Sequence, residues 1–313
     1  MMLSSALLVA FAIDALWGEP KARWHPVVWM GQYLSFTGTR CAPLVAHNSA
    51  RAHGREFARG MRFWCLGALV CVLFAVGVQQ LVAELPSWAA IALLAVTLKP
   101  LFAWRMLVQE VQAVEAALNQ SLATGRERLA LLCSRDVSQL NDAQVRETAL
   151  ETLAENLNDS LVAPLFWFVL LGLPGAALYR FANTADAMWG YRGERSGRDW
   201  TWAGKFAARA DDVLSWLPAR ITAALLVACA GGDISFQNLR REAHKTPSPN
   251  SGWPMAAAAL ALGVHLSKHA VYSLNTQGQK PQTQHVVAAI KLCRSAAMVC
   301  VVLCFAVLSL LGL

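Results

Sequence analysis

Charge is what this sequence most lacks. Only 15% of its residues are Asp, Glu, Lys or Arg, against about 25% in an ordinary soluble domain, while 56% are hydrophobic. The mean hydropathy is +0.39. That balance excludes intrinsic disorder, because there is ample apolar surface to bury, and it points to a membrane protein. Cysteine is too dilute, at eight in 313 residues, for a disulfide-stapled scaffold. The signatures G-x-x-x-x-G-K-[ST] and G-x-G-x-x-G are missing, so no P-loop and no bound nicotinamide or flavin is expected. Neither C-x-x-C nor H-E-x-x-H occurs, which argues against zinc. Cys65, Cys71, Cys229, Cys293, Cys300 and Cys304 lie in or beside apolar runs and read as buried thiols. The net charge of +7 comes without a nucleic-acid motif, so no nucleic-acid partner is expected. Internal repeats and low-complexity tracts are absent too.

What the sequence does have is apolar contiguity. A membrane-crossing helix needs about 20 mostly apolar residues. Phe63–Ala83, Ser87–Trp104 (interrupted by Lys99-Pro100), Ser160–Leu178 and Ala296–Leu313 meet that need. Leu3–Leu16, Ile221–Ala230 and Pro254–Leu266 are shorter, and fit tilted spans, re-entrant pieces or buried helices alike. Pro164 and Gly172-Leu173-Pro174-Gly175 interrupt the third long run. Proline removes a helix donor and Pro-Gly marks a turn, so that run is predicted to be two half-helices that enter and return. The N-terminus has no basic flank and carries Asp14, so it reads as retained, not as a signal peptide. The predicted fold class is all-α: a polytopic integral membrane helical protein with re-entrant or broken helices, one membrane-embedded domain over residues 1–313. Trp17–Arg62 holds seven Lys/Arg against two acids, which orients residues 17–62 to the cytoplasm. Segments 105–159 and 180–220 follow on the same face, giving a multi-pass protein of the cell (inner, cytoplasmic) membrane. Gly231–Gly252, with three basic residues and two acids, is not oriented by charge.

Four polar clusters stand out. Glu147, Glu151, Glu155 and Asp159 recur at i, i+4 with no Lys or Arg between them, beside Asn156 and Asn158. That spacing puts them on one helix face. A solvated acidic face is the plain reading, but the stripe runs into an apolar segment, where carboxylates require a cation or a donor. Mg²⁺ held together with substrate phosphates suits such oxygen ligands, with Glu155, Asp159 and Asp211 as candidate ligands. The second cluster holds Arg180, Asn183, Asp186, Arg192 and Arg209, then Asp211-Asp212 and Arg220. Arginine forks suit phosphate or carboxylate; anionic lipid headgroups would account for the arginines but not for the interleaved Asn and Asp. The third is Lys245 with Ser248-Pro249-Asn250-Ser251-Gly252, a rigid turn that can cap the following helix and bind an anion, or serve as a plain loop. The fourth is Asp14, Gly18-Glu19-Pro20 and His25-Pro26-Val27. Asp14 in an apolar run is costly unless paired; a lone histidine such as His25 is more often structural.

These blocks, in this order over residues 14–265, resemble the adenosylcobinamide-phosphate synthase family of cobalamin biosynthesis, integral membrane proteins. Arg135-Asp136, Ala154-Glu155-Asn156, Ala163-Pro164-Leu165-Phe166, Tyr179-Arg180, Asn183-Thr184, Gly190-Tyr191-Arg192 and Pro218-Ala219-Arg220 complete the set. The chain departs from the pattern at Gly38, Ser215, Glu242, Thr246, Leu260, Ser267 and Lys268. The resemblance implies an amide-forming ligase: aminopropanol or aminopropanol phosphate joined to a carboxyl of the corrinoid adenosylcobyric acid, with ATP as co-substrate and Mg²⁺. It would give Glu151, Glu155, Asn156, Asp159, Asp211, Asp212 and His25 catalytic work. Arg180, Asn183, Asp186, Arg192, Arg209, Arg220, Lys245, Ser248 and Asn250 would bind substrate and phosphate. Two other readings compete: a non-catalytic inner-membrane regulator related to regulators of β-lactamase induction, and a transporter. The motifs leave the oligomeric state open.

Overall fold

The structure is a computed structural model that describes residues 1–45 and 53–313. Residues 46–52 of the basic 17–62 segment lie outside the described residues. In chain order come α1 (Met2–Trp17), α2 (Pro26–Cys41), α3 (His53–Ala83), α4 (Ser87–Leu98), α5 (Trp104–Leu118), α6 (Leu122–Leu129), α7 (Asp142–Leu157) and α8 (Ala163–Trp189). A small hairpin, β1 (Glu194–Arg195) and β2 (Arg198–Asp199), leads to α9 (Lys205–Leu214), α10 (Trp216–Ala230), α11 (Phe236–Ala243) and α12 (Gly252–Leu262). A second hairpin, β3 (Leu266–Lys268) and β4 (Tyr272–Leu274), precedes α13 (Thr283–Leu310). The all-α architecture expected from the sequence is therefore present, with two short antiparallel hairpins that the sequence did not announce.

Among the described residues, four helical stretches are long and apolar enough to cross a membrane: His53–Ala83, Ser87–Leu118, Asp142–Trp189 and Thr283–Leu310. The count rises to five if the bent pair α9 and α10 forms one span. They contain the first three long runs read from the sequence and all but the last three residues of the fourth. The protein is thus a multi-pass membrane protein. Of the shorter runs, Pro254–Leu266 lies mostly in α12, whose residues Gly252–Ala259 are all buried, so it is a core helix. The interruption foreseen near Pro174 falls at Gly172, whose φ of 66° and ψ of −154° break the helical path of α8. The Cβ of any other residue there would also meet the Gln79 amide at 2.9 Å. Asp142–Trp189 still forms one stretch long and apolar enough to cross, so the expected return of two half-helices is not what the structure has.

The chain folds as two compact units, each assembled from separate stretches. The first comprises Met1–Phe102, Ala163–Leu214 and Cys304–Leu313. Here α3 and α2 pack on α8, and α1 on α4. Small residues permit the close approaches: at Gly67 a Cβ would run into Phe181 and Tyr33. Gly38, one of the departures, faces Trp200 and Trp189, which stack with centroids 6.1 Å apart. Trp189 Nε1 donates to the Leu34 carbonyl at 3.1 Å. The second comprises Ala103–Val162 and Ser215–Leu303. There α12 packs on α10, α11 and α7, while α5 packs on α6 and α7. A reciprocal capping box between Asn141 and Gln144 starts α7, and left-handed Gly231 and Gly263 end α10 and α12.

Cys293 and Cys300 are buried as expected, but Cys65 is exposed. It lies on α3, whose outer face also exposes Leu66, Leu69 and Leu73, so the apolar run that contains it faces outward rather than inward.

Candidate functional site

The carboxylate ladder of the second unit is not a solvated face. Glu147 is 4% exposed and Glu151 1%. Glu147 and Glu151 are each held by a side chain from elsewhere in that unit. The Glu147 carboxylate accepts from the Ser267 backbone N–H at 3.1 Å and from its hydroxyl at 2.7 Å. Glu151 Oε2 accepts from Arg135 at 2.6 Å, and Arg135 also reaches the Thr148 hydroxyl at 3.0 Å. Burial, the largest single influence, would make the Arg135 guanidinium easier to deprotonate, but the charge and hydrogen bond of Glu151 and those of Tyr272 together outweigh it and raise its pKa. Tyr272 sits beside the same carboxylate; burial first and the Glu151 charge second push its phenol well up. Glu155 has Asp159 and Glu151 as like-charged neighbours and Lys268 and Arg135 as opposing ones. Two departures from the family pattern, Ser267 and Lys268, thus stand where they face the ladder.

The strict helical spacing holds only as far as Glu155. Residues Asn158–Val162 form a π-helical turn, which winds more widely than an α-turn and is common at functional sites. Asp159 is placed by that turn, and Asn158 Nδ2 donates to its Oδ1 at 2.7 Å. The Thr222 hydroxyl of α10 fixes Asn158 in turn, at 3.1 Å. Asn156 instead bonds back to the Thr152 carbonyl at 3.0 Å.

Near the same unit's 244–252 turn, Arg220 donates to Asn250 Oδ1 at 3.1 Å and to the Pro249 carbonyl at 3.2 Å. The Ser248 hydroxyl accepts from the backbone N–H of Asn250 and Ser251, at 3.2 and 3.3 Å; it caps the turn, not the helix end itself. Lys245 Nζ holds both oxygens of Glu242, at 2.8 and 2.7 Å, and Glu242 also accepts from the Asn275 N–H. Burial would raise the Glu242 carboxyl, but Lys245 and Asn275 win and hold it below its ordinary range.

The first unit carries the other half of the sequence-derived set. Asn183 Nδ2 donates to Asp211 Oδ1 at 3.4 Å, and Arg192 lies near Asp212 as an opposite charge. Arg180 and Asp186 share α8 with Asn183. Asp186 lies against Gly190, so no side chain fits at 190. Arg209 is exposed on α9. Asp14, 1% exposed, is paired with Lys99 at 2.9 Å; Lys99 also holds Glu19 at 2.7 Å and donates to the Phe102 carbonyl at 3.3 Å. His25 completes the chain: Nε2 meets Glu19 at 2.9 Å, while Nδ1 accepts the Val27 N–H and caps α2. Burial raises the Glu19 carboxyl, but His25 and Lys99 outweigh it and lower its pKa. With Nδ1 accepting the Val27 N–H, Nε2–H is the donor and the Glu19 carboxylate the acceptor of the second hydrogen bond.

Sequence reasoning missed Lys99, whose signal was an isolated lysine in an 18-residue apolar run, and Tyr272, which no local pattern marks. His265 and His269 do stand four apart, but at the β3 hairpin and not on a helix; among the described residues no three His, Cys, Asp or Glu side chains form a metal-ligating group. The ladder fits Mg²⁺ in a more limited sense. Glu155 and Asp159 are two neighbouring oxygen donors, which is what Mg²⁺ takes from protein when substrate phosphates supply the rest.

The CobD/Cbib protein family model matches residues 7–301. Among curated proteins, the probable cobalamin biosynthesis protein CobD of Methanothermobacter thermautotrophicus is 38% identical over 293 residues, 92% of each chain. Cobalamin biosynthesis protein CobD of Stutzerimonas stutzeri is 38% identical over 299 residues, again 92% of each. The protein of the same name from Chromobacterium violaceum is 38% identical over 275 residues, 86% of this chain and 84% of its own. No solved structure matches. By the span of that match and by these relatives, the chain belongs to the CobD/CbiB family, the adenosylcobinamide-phosphate synthase family that its motifs resemble.

Proposed function

We propose that this protein is an amide-forming ligase of cobalamin biosynthesis, joining a carboxyl of adenosylcobyric acid to aminopropanol or its phosphate at the expense of ATP. The observation that supports the reading is the buried ladder on α7. Glu147 accepts hydrogen bonds from Ser267 and Glu151 is paired with Arg135, and Glu155 and Asp159 follow them as two neighbouring carboxylates. The reaction balances as two displacements. A corrinoid carboxylate oxygen attacks the terminal phosphorus of ATP and ADP leaves; the amine nitrogen then attacks the acyl carbon, phosphate leaves, and the amine proton passes to a carboxylate. Mg²⁺ would neutralise charge on the transferring phosphoryl group, with Glu155 and Asp159 as its protein ligands. Within the first unit, Arg180, Arg192 and Arg209 carry forked donors suited to phosphate oxygens, and Asn183 donates to Asp211. The basic excess of residues 17–62 orients these polar segments to the cytoplasmic face of the cell membrane.

The test is reconstitution. Purified protein in detergent is given adenosylcobyric acid, Mg·ATP and either aminopropanol phosphate or free aminopropanol, and corrinoids are weighed by mass spectrometry. One amide's mass gain in either tube, lost in Glu155→Gln and in Asp211→Asn, is the expected result. Wild-type activity in both variants overturns the assigned roles. No product in either tube, with an active relative as control, overturns the ligase in favour of the regulator.

A further inference from the structure

A groove of about 730 Å³ runs along α10 in the second unit, outside the ladder. Trp216, Arg220, Ala224, Val227 and Ala228 form one wall at helical spacing. From Trp216 to Ala228 that wall is about 18 Å long. Its two alanines are exposed, so the floor is shallow and apolar. Ile234 and Leu239 also line it. His244 lies 5.9 Å from the Trp253 ring that Arg220 also meets, and Arg240, one turn before His244 on α11, lines the same groove. The groove is therefore cationic at one end and hydrocarbon-like along the rest, with no carboxylate in its lining.

The cationic end is built. Arg220 lies 4.2 Å from the Trp216 ring centroid and 4.9 Å from that of Trp253. Three acceptors pin it: the carbonyls of Trp216 and Pro249 and Asn250 Oδ1. Those bonds are all made by the terminal nitrogens, so Nε–H and one terminal N–H are left to donate. Among the described residues neither Arg220 nor Arg240 is paired with a carboxylate. Arg241, the next residue, does meet an acid, Glu242 at 3.8 Å. Trp216, Phe236 and Trp253 surround this end, the aromatic setting of a membrane–water interface.

From this polarity we infer that the groove holds one anionic phospholipid, its phosphate between Arg220 and Arg240 and one acyl chain along Ala224 and Ala228. A nucleotide is the competing anion. Its ribose and base would lie along Ala224, Val227 and Ala228, whose side chains offer them no hydrogen-bond donor or acceptor. α10, which forms one wall of the groove, passes as a candidate span when counted together with α9, so the acyl chain comes from the surrounding bilayer. This site does not depend on the ligase reading.

The probe is phosphatidylglycerol against phosphatidylcholine of the same acyl chains, titrated onto delipidated wild-type protein and read by native mass spectrometry. Each basic residue near a headgroup contributes about fivefold in affinity, so wild type should retain one phosphatidylglycerol at least about fivefold more tightly. Arg240→Gln should reduce that preference by about fivefold. Ala228→Trp should displace both lipids, and Leu170→Trp, at an exposed α8 position, should displace neither. Ala224→Phe gives a second blocked groove should Ala228→Trp melt below wild type. Equal retention of the two lipids by wild type, or undiminished phosphatidylglycerol in both blocked variants, overturns the inference. Displacement of the lipid by glycerol phosphate at matching concentration also overturns it, because the site would then read only an anion.

Discussion

Lys99→Met is the most exposing perturbation of the first unit. Lys99 and Asp14 side chains are 3% and 1% exposed, and they meet at 2.9 Å. The lysine also holds Glu19 at 2.7 Å. Methionine has nearly the same length and apolar stem, so the change removes charge with little change in packing. It strands the Asp14 carboxylate where water does not reach. Removing one partner of a buried ion pair costs about 3–5 kcal/mol. At about 2–4 °C per kcal/mol, the melting temperature should fall by about 6–20 °C. Asp14→Asn should cost less, because Lys99 keeps Glu19. The double variant Asp14→Asn, Lys99→Met should be more stable than the sum of the single effects, by about 0.5–3 kcal/mol. The assay is thermal unfolding in detergent followed by tryptophan fluorescence, with the exposed Lys280→Met as control. A Lys99→Met protein that melts within about 2 °C of wild type, like a neutral surface change, refutes the reasoning.

Gly172→Ala should destabilise α8, since φ 66° with ψ −154° is a conformation open essentially to glycine alone and costs about 1–3 kcal/mol otherwise; an unchanged melting temperature contradicts the assigned break. Gly38→Ala should cost about 1–3 kcal/mol, because its Cβ would stand 2.8 Å from Trp200 and 2.9 Å from Trp189 Nε1. Replacement of Trp200 by Phe should recover part of that loss, and a Gly38→Ala protein as stable as wild type refutes the contact. Glu242 gives a pH dependence: its folded pKa lies below the ordinary 4.5, so the unfolded carboxyl takes the proton first. Its contribution is whole above that ordinary value and is lost as pH falls through the folded one. Glu242→Gln should therefore flatten the acid limb of the melting curve against pH; an acid limb as steep as that of wild type excludes the Lys245–Glu242–Asn275 contacts as its source.

The parts legible in the sequence were those written locally. Contiguous apolar residues located α3, α4, α8 and α13, and Gly172 beside Pro174 located the break, because hydropathy and backbone permission act over a few residues. The i, i+4 spacing located the ladder for the same reason. Its partners could not be read in this way. Ser267 and Lys268 reach α7 from a hairpin more than a hundred residues on, and such pairings leave no periodic trace. Asp159 left the helical register because the chain winds into a π turn at Asn158, where Thr222 of α10, distant in sequence, donates to the Asn158 side chain. Lys99 looked like an interruption of a span; only the folded chain shows it neutralising Asp14, which the sequence had marked as needing a partner.

The most direct test of the ligase reading is a single-turnover comparison of wild type and Glu155→Gln with adenosylcobyric acid, Mg·ATP and saturating aminopropanol phosphate, both proteins first shown to melt alike. The account predicts one amide's mass added to the corrinoid by wild type with stoichiometric ADP, and a loss of at least about a hundredfold in the variant, as expected when a positioned acid–base or charge-stabilising group is removed. Equal amide yield from both proteins would contradict it.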